Sequence, residues 1–245
     1  MTTSDDGPSL SHGGPGPSPS SERLAILRLL QLASPALPIG GFAYSQGLEP
    51  AVTSGLVSDE SSASHWILGL LAGPLATLDL AVLARIQRAF ITGDADAAWR
   101  WNAFLLASRS TAELQSEDRH LGAALARVLG TFGISVAEFD GDRGLGAPTF
   151  ASMFALATAR WSIAPRLALE AFAFTWAQAQ TSAAVRLVPL GQSAGLRILA
   201  DAAEMIPSVV DRSLAIDDDD VGGTAPLQAV LSSQHETQYS RLFRS

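Results

Sequence analysis

Gly191, Ser193 and Gly195 follow the order G-x-S-x-G, which in α/β-hydrolases sets a nucleophilic serine on a sharp turn between strand and helix. Asp211 or Asp217 and then His235 follow in the order that fold uses for its acid and base, so Ser193 and His235 form a candidate catalytic pair. The elbow needs a strand before the serine, whereas the residues upstream have helical periodicity. The alternative is a helix junction in which Gly191 ends one helix and Ser193 caps the next. Metal chemistry has less to work with. His12, His65, His120 and His235 are far apart, with no H-x-x-x-H or H-x-H spacing, and Met1, Met153 and Met205 do not group. The expectation is that no metal or other cofactor is bound directly. Asp217, Asp218, Asp219 and Asp220 lack the alternation of a calcium loop and read as a solvated acidic linker.

Composition narrows the chemistry further. The chain has no Cys, hence no thiolate nucleophile and no thiolate metal site. All 16 basic residues are Arg, so a P-loop or a Schiff-base mechanism has no lysine to use. With 24 acidic residues the net charge is −8, which opposes binding to nucleic acid or to anionic lipid. Trp66, Trp99, Trp101, Trp161 and Trp176 fall within helical patterns and read as packing residues.

The elements that must position these groups are almost all helical. Leu24, Ile26, Leu27 and Leu30 recur at helical steps over residues 22–33, before Ser34-Pro35. A Gly40-Gly41 turn precedes a helix at 44–54. Ser58 or Asp59 and then Asp94 are N-cap candidates, and Gly73-Pro74 should break the segment between them. Ser110 and Glu113 have capping-box spacing for a helix stopped by Gly130. Residues 131–148 read as a long loop. Helices are expected at 149–161, from Pro165 to Leu187, and from Ser193 to Met205 with a stop at Pro207, followed by a last helix from Leu227. The fold class is all-α: one domain of about nine or ten helices in a bundle or array.

Residues 1–21 are rich in Ser, Gly and Pro and read as a disordered leader, leaving 22–245 as the helical domain, with a flexible acidic linker at about 214–225. The leader lacks the basic and apolar regions of a signal peptide, so a cytoplasmic location is expected. The apolar run 66–84 carries Gly73-Pro74 and Asp79 and leads into Arg85, which favours a buried helix pair over a membrane span.

The stretch 29–49, LLQLASPALPIGGFAYSQGLE, resembles the N-terminal signature of the UreF family of urease accessory proteins. Residues 108–114, 184–192 and the tail 235–245, HETQYSRLFRS, resemble the same family. The resemblance implies an all-helical, non-enzymatic protein that forms a homodimer, binds UreD (also called UreH), recruits the GTPase UreG and acts on apo-urease. Nickel and GTP would be handled by those partners. It also implies partner recognition by Tyr44, Ser45, Gln46, Gly47 and Glu49, and by His235, Glu236, Tyr239, Arg241, Leu242 and Phe243, with the tail ordering on binding UreD. The sequence departs from the family pattern at Ala43, Ala229, Ser233 and Gln234.

Overall fold

The computed structural model describes residues 19–137 and 147–245, so most of the expected leader and the glycine-rich part of the expected long loop lie outside the described residues. Among the described residues ten α-helices run in chain order: α1 Pro19–Leu32, α2 Leu48–Thr53, α3 Glu60–Leu70, α4 Ala81–Thr92, α5 Ala95–Ala107, α6 Ala112–Thr131, α7 Phe150–Arg160, α8 Pro165–Leu187, α9 Gln192–Ala215 and α10 Pro226–His235. A π-helical segment, Leu71–Leu80, joins α3 to α4, and short 3₁₀ turns lie at Gly41–Ala43 and Asp218–Asp220. The described residues contain no strand.

Local chemistry accounts for most boundaries. Asp59, Asp94 and Thr149 each accept a hydrogen bond from a first-turn backbone N–H, and Pro165 opens α8 at a position where its missing N–H is not needed. Four boundaries differ from expectation. The helix read at 44–54 starts only at Leu48, because Gln46 and Gly47 both take positive φ, 52° and 86°. The cap of α6 is Thr111 rather than Ser110, its hydroxyl accepting from Leu114 N at 3.3 Å. That helix runs past Gly130 to Thr131, and Gly133 takes the positive φ that ends it. Pro207 does not stop α9, which continues to Ala215. Pro207 and Ala203, whose carbonyl loses its i+4 donor, are both exposed, so the orphaned oxygen is open to solvent.

Helix α4 lies at the centre of the larger core. Val82, Leu83 and Ile86 are fully buried there, against α5, α7, α8 and α9. Buried small residues on α7, among them Ala151, Ala155 and Ala157, allow close helix approach, and Phe154 meets Phe172 of α8 edge to face at 5.3 Å. On α6, a side chain at Gly122 would overlap the Pro148 carbonyl. Gly73 breaks the apolar run with φ −93° and ψ −112°, and the Ala72 carbonyl accepts a hydrogen bond from Arg212. The run from α3 to α4 has the length and apolarity to cross a membrane, but 61% of its most apolar window is buried. Its Asp79 and Arg85 bond to other elements, so it is packed within the protein.

The apolar stripe of α1 does not face the core. Leu29 and Leu32 touch the body, and the Arg28 guanidinium lies 4.8 Å from the Phe132 ring centre. Leu24, Ile26, Leu27 and Leu30 point outward, each more than half exposed. A second, smaller core holds Leu48, Ala51, Ile67, Ala184, Leu231 and Phe243, and joins α2, α3, α8, α10 and the tail. The residues read as a flexible linker are tethered. Asp218 accepts from Arg85 Nε at 2.7 Å, and Gly222 N donates to Thr77 O at 3.0 Å.

Candidate functional site

The signature turn and the C-terminal tail, nearly two hundred residues apart, form one structure. Positive φ at Gln46 and Gly47 turns the chain sharply after Tyr44 and aims backbone N–H groups at the tail. Gly47 is needed for a second reason: a side chain there would sit 3.2 Å from the Gln228 carbonyl of α10. The Ser245 carbonyl accepts from Ser45 N at 2.7 Å, from Ser45 Oγ at 2.5 Å and from Gln46 N at 3.1 Å. Arg244 N donates to Ala43 O at 2.8 Å. That contact uses only backbone at residue 43, so the departure to Ala leaves it intact.

Glu49 is the central anchor. It is 6% exposed, and its carboxylate accepts from Leu242 N at 2.8 Å and Phe243 N at 2.9 Å. His235, fully buried, lies between Glu49 Oε2 at 3.3 Å and Glu113 Oε2 at 2.9 Å. The other Glu113 oxygen accepts from Arg241 at 2.9 Å. Four residues further along α6, Glu117 accepts from Gln46 Nε2 at 2.7 Å and Ser245 Oγ at 2.9 Å. Burial pushes the Glu117 carboxyl up to about 7, although its two hydrogen bonds oppose that shift. Gln46 Oε1 in turn accepts from Trp176 Nε1 at 2.8 Å.

Beneath this layer lies a buried charge cluster. Arg109 donates to Asp79 and Asp118, with contacts of 2.5 Å to each. Burial works against its charge, but Asp118 and Asp79 outweigh that and hold the guanidinium protonated, above its ordinary range. A cavity of about 120 Å³ separates part of this cluster from the loop that contains Leu37 and Phe42.

The structure thus brings together Ser45, Gln46, Gly47, Glu49, His235, Leu242 and Phe243, with Arg241 joined through Glu113. Tyr44 is buried beside the cavity. Ser45 and Glu49 lie under the tail and hold it, whereas Glu236, Tyr239, Arg241 and Leu242 are exposed. The tail was expected to order on a partner, and here it is docked on the chain's own signature turn. Sequence reasoning missed Glu113, Glu117, Asp118, Arg109 and Trp176 as members of this site. One signal was available: Asp79 within an apolar run requires a buried cation.

The hydrolase geometry is not assembled. Ser193 is an exposed first-turn residue of α9, preceded by the helix α8 instead of a strand. Gly191 is the N-cap rather than a helix stop, and Gly195 is a contact residue, where an added Cβ would lie 2.8 Å from Val185 Cγ2 of α8. His235 turns both ring nitrogens to Glu49 and Glu113, and Asp211 pairs with Arg166. Among the described residues, no group of three or more His, Asp or Glu side chains is arranged to hold a metal ion.

Comparison with known proteins is decisive about kinship. The UreF family model matches residues 57–203. The chain is 49% identical over 222 residues to a urease accessory protein UreF of Pseudomonas putida (strain W619), covering 91% of this chain and 98% of that one. It is 46% identical over 223 residues to one of Alkalilimnicola ehrlichii, covering 91% and 96%. The chain belongs to the UreF family of urease accessory proteins. Like other UreF proteins it is an accessory protein and not an enzyme. The family match begins beyond the signature turn and ends before the tail, so it rests on the helical body that holds the two together.

Proposed function

We propose that this chain is a scaffold for urease maturation that presents its docked tail to partner proteins. In this reading it acts in the cytoplasm as a homodimer, binds UreD/UreH, recruits the GTPase UreG and brings both to apo-urease for GTP-dependent nickel insertion. GTP and nickel are carried by the partners, and neither nucleic acid nor membrane is engaged. The observation that carries the reading is the tail: buried anchors at Ser45, Glu49, His235 and Glu117 fix a segment whose Glu236, Tyr239, Arg241 and Leu242 face outward. A structure that rigidly presents such side chains binds with less ordering entropy to overcome. The outward stripe of Leu24, Ile26, Leu27 and Leu30 on α1 supplies apolar surface suited to a second copy.

The test is co-purification of the chain with UreD and UreG, together with urease activation in cells carrying the urease genes. Removing residues 236–245 should abolish co-purification with at least one partner and reduce urease activity at least tenfold. Full activation in the absence of the whole chain would refute the reading.

A further inference from the structure

Six exposed arginines have no side-chain partner among the described residues, and three of them line two adjoining grooves. Arg85, Arg109, Arg166, Arg197 and Arg241 each meet a carboxylate. Arg127 on α6, Arg186 in the last turn of α8 and Arg244 in the tail are exposed, and their side chains have no hydrogen-bonding or ion-pair partner among the described residues. They converge on one place. Arg127, Arg244 and His120 line a groove floored by Ala123 and Ala124. Arg186 lines a second groove with Pro35, Leu242 and Phe243. Gly40 and Ala43 border both, so the grooves are the two flanks of a single ridge, residues 39–43.

Neither groove contains an Asp or Glu. On a chain of net charge −8, three guanidinium groups around one ridge run against the prevailing charge and repel one another. The α8 dipole favours a cation at Arg186, but it does nothing for Arg127 or Arg244. Guanidinium pairs best with the planar carboxylate, in bidentate geometry. Between the charges the surface is apolar, with Leu242 66% exposed. Carboxylates alternating with an apolar side chain complement that pattern.

We propose that the 39–43 ridge is a docking surface for an acidic, apolar-bearing segment of a partner protein, whose carboxylates pair with Arg127, Arg186 and Arg244. This rests on the scaffold reading and deepens it, since the ridge adjoins the docked tail.

The absence of lysine offers a direct test. R127K, R186K and R244K each place a side-chain amine at one site on a chain that otherwise has none. A water-soluble carbodiimide joins that amine to a contacting carboxylate as an amide, taking up the elements of water itself to become a urea. In the assembly with the maturation partners, each variant should yield a peptide crosslinked to a partner Asp or Glu, and the wild type should yield none at these positions. R197K, facing Glu60 in the same chain, checks the chemistry. The triple reversal R127E/R186E/R244E should weaken partner binding at least tenfold at low salt while leaving the thermal transition in place. Unchanged binding by the reversed chain, or no crosslink from any of the three lysines when R197K reacts, would overturn the docking surface and leave the scaffold role standing. Binding of single-stranded DNA through these arginines in place of the partner would overturn it too. If the wild type assembles with no partner, the scaffold reading fails and the docking surface falls with it.

Discussion

His235 Nε2 lies 3.3 Å from Glu49 Oε2, across 186 residues of sequence, in a contact closed to solvent. The same carboxylate caps the backbone N–H groups of Leu242 and Phe243, so Glu49 holds both ends of the tail segment 235–243.

Replacing that carboxylate should free the tail without unfolding the body. Hydrogen bonds to a charged acceptor contribute about 1.5–3 kcal/mol each, and Glu49→Gln removes the charge while keeping the shape. Amide exchange at Leu242 and Phe243 should rise at least tenfold, with exchange in α4 unchanged. Unaltered exchange at those two amides would dismiss Glu49 as the anchor.

The buried Glu117 carboxyl gives stability a definite pH slope. Its folded-state value of about 7 lies above the ordinary 4.5. The unfolded chain therefore releases this proton more readily, and the contribution, complete below about pH 4.5, is lost as pH rises through 7. The difference corresponds to about 3 kcal/mol. Thermal unfolding of the wild type should show this decline between pH 5 and 8, and Glu117→Gln should flatten it. Equal slopes for both proteins would rule Glu117 out.

Arg109 pairs with two buried aspartates at once. Arg109→Leu leaves Asp79 and Asp118 buried without a cation and should destabilise by about 3–5 kcal/mol in urea unfolding. Adding Asp79→Asn and Asp118→Asn should recover a substantial part. A triple variant no more stable than the single one would mean that lost packing, rather than charge, accounts for the effect.

Two glycines on the same helix should respond with opposite sign. Gly122→Ala forces a methyl group into the Pro148 carbonyl and should destabilise by about 1–3 kcal/mol or more. Gly130, with open space around its Cβ position, should gain about 0.5–1 kcal/mol as Ala. Chemical denaturation of both variants settles the comparison.

What could be read from sequence was whatever local chemistry dictates. Asp59, Asp94, Thr149 and Pro165 announce helix starts because a cap acts within four residues, and leucine periodicity marks α1 as a helix. Periodicity does not say what the apolar face meets: Leu24 and Leu27 mark the helix correctly, yet they lie on its outer side. Pro207 was read as a stop because the fate of the Ala203 carbonyl depends on exposure, which is set by the tertiary fold. The signature and the tail are each legible in the sequence, but their union is not. It runs through Glu113 and Glu117, which are unremarkable helix residues until His235 and Ser245 arrive from more than a hundred residues away.

Helix α6 carries the anchors of both layers. Glu113 and Glu117 hold the tail, and Asp118, the next residue, holds Arg109. Lifting the tail would strand two carboxylates on a helix that is also bolted to the buried ion cluster. The tail and the buried ion cluster therefore share one helical support, so a load on the tail is borne by a helix rooted in the interior.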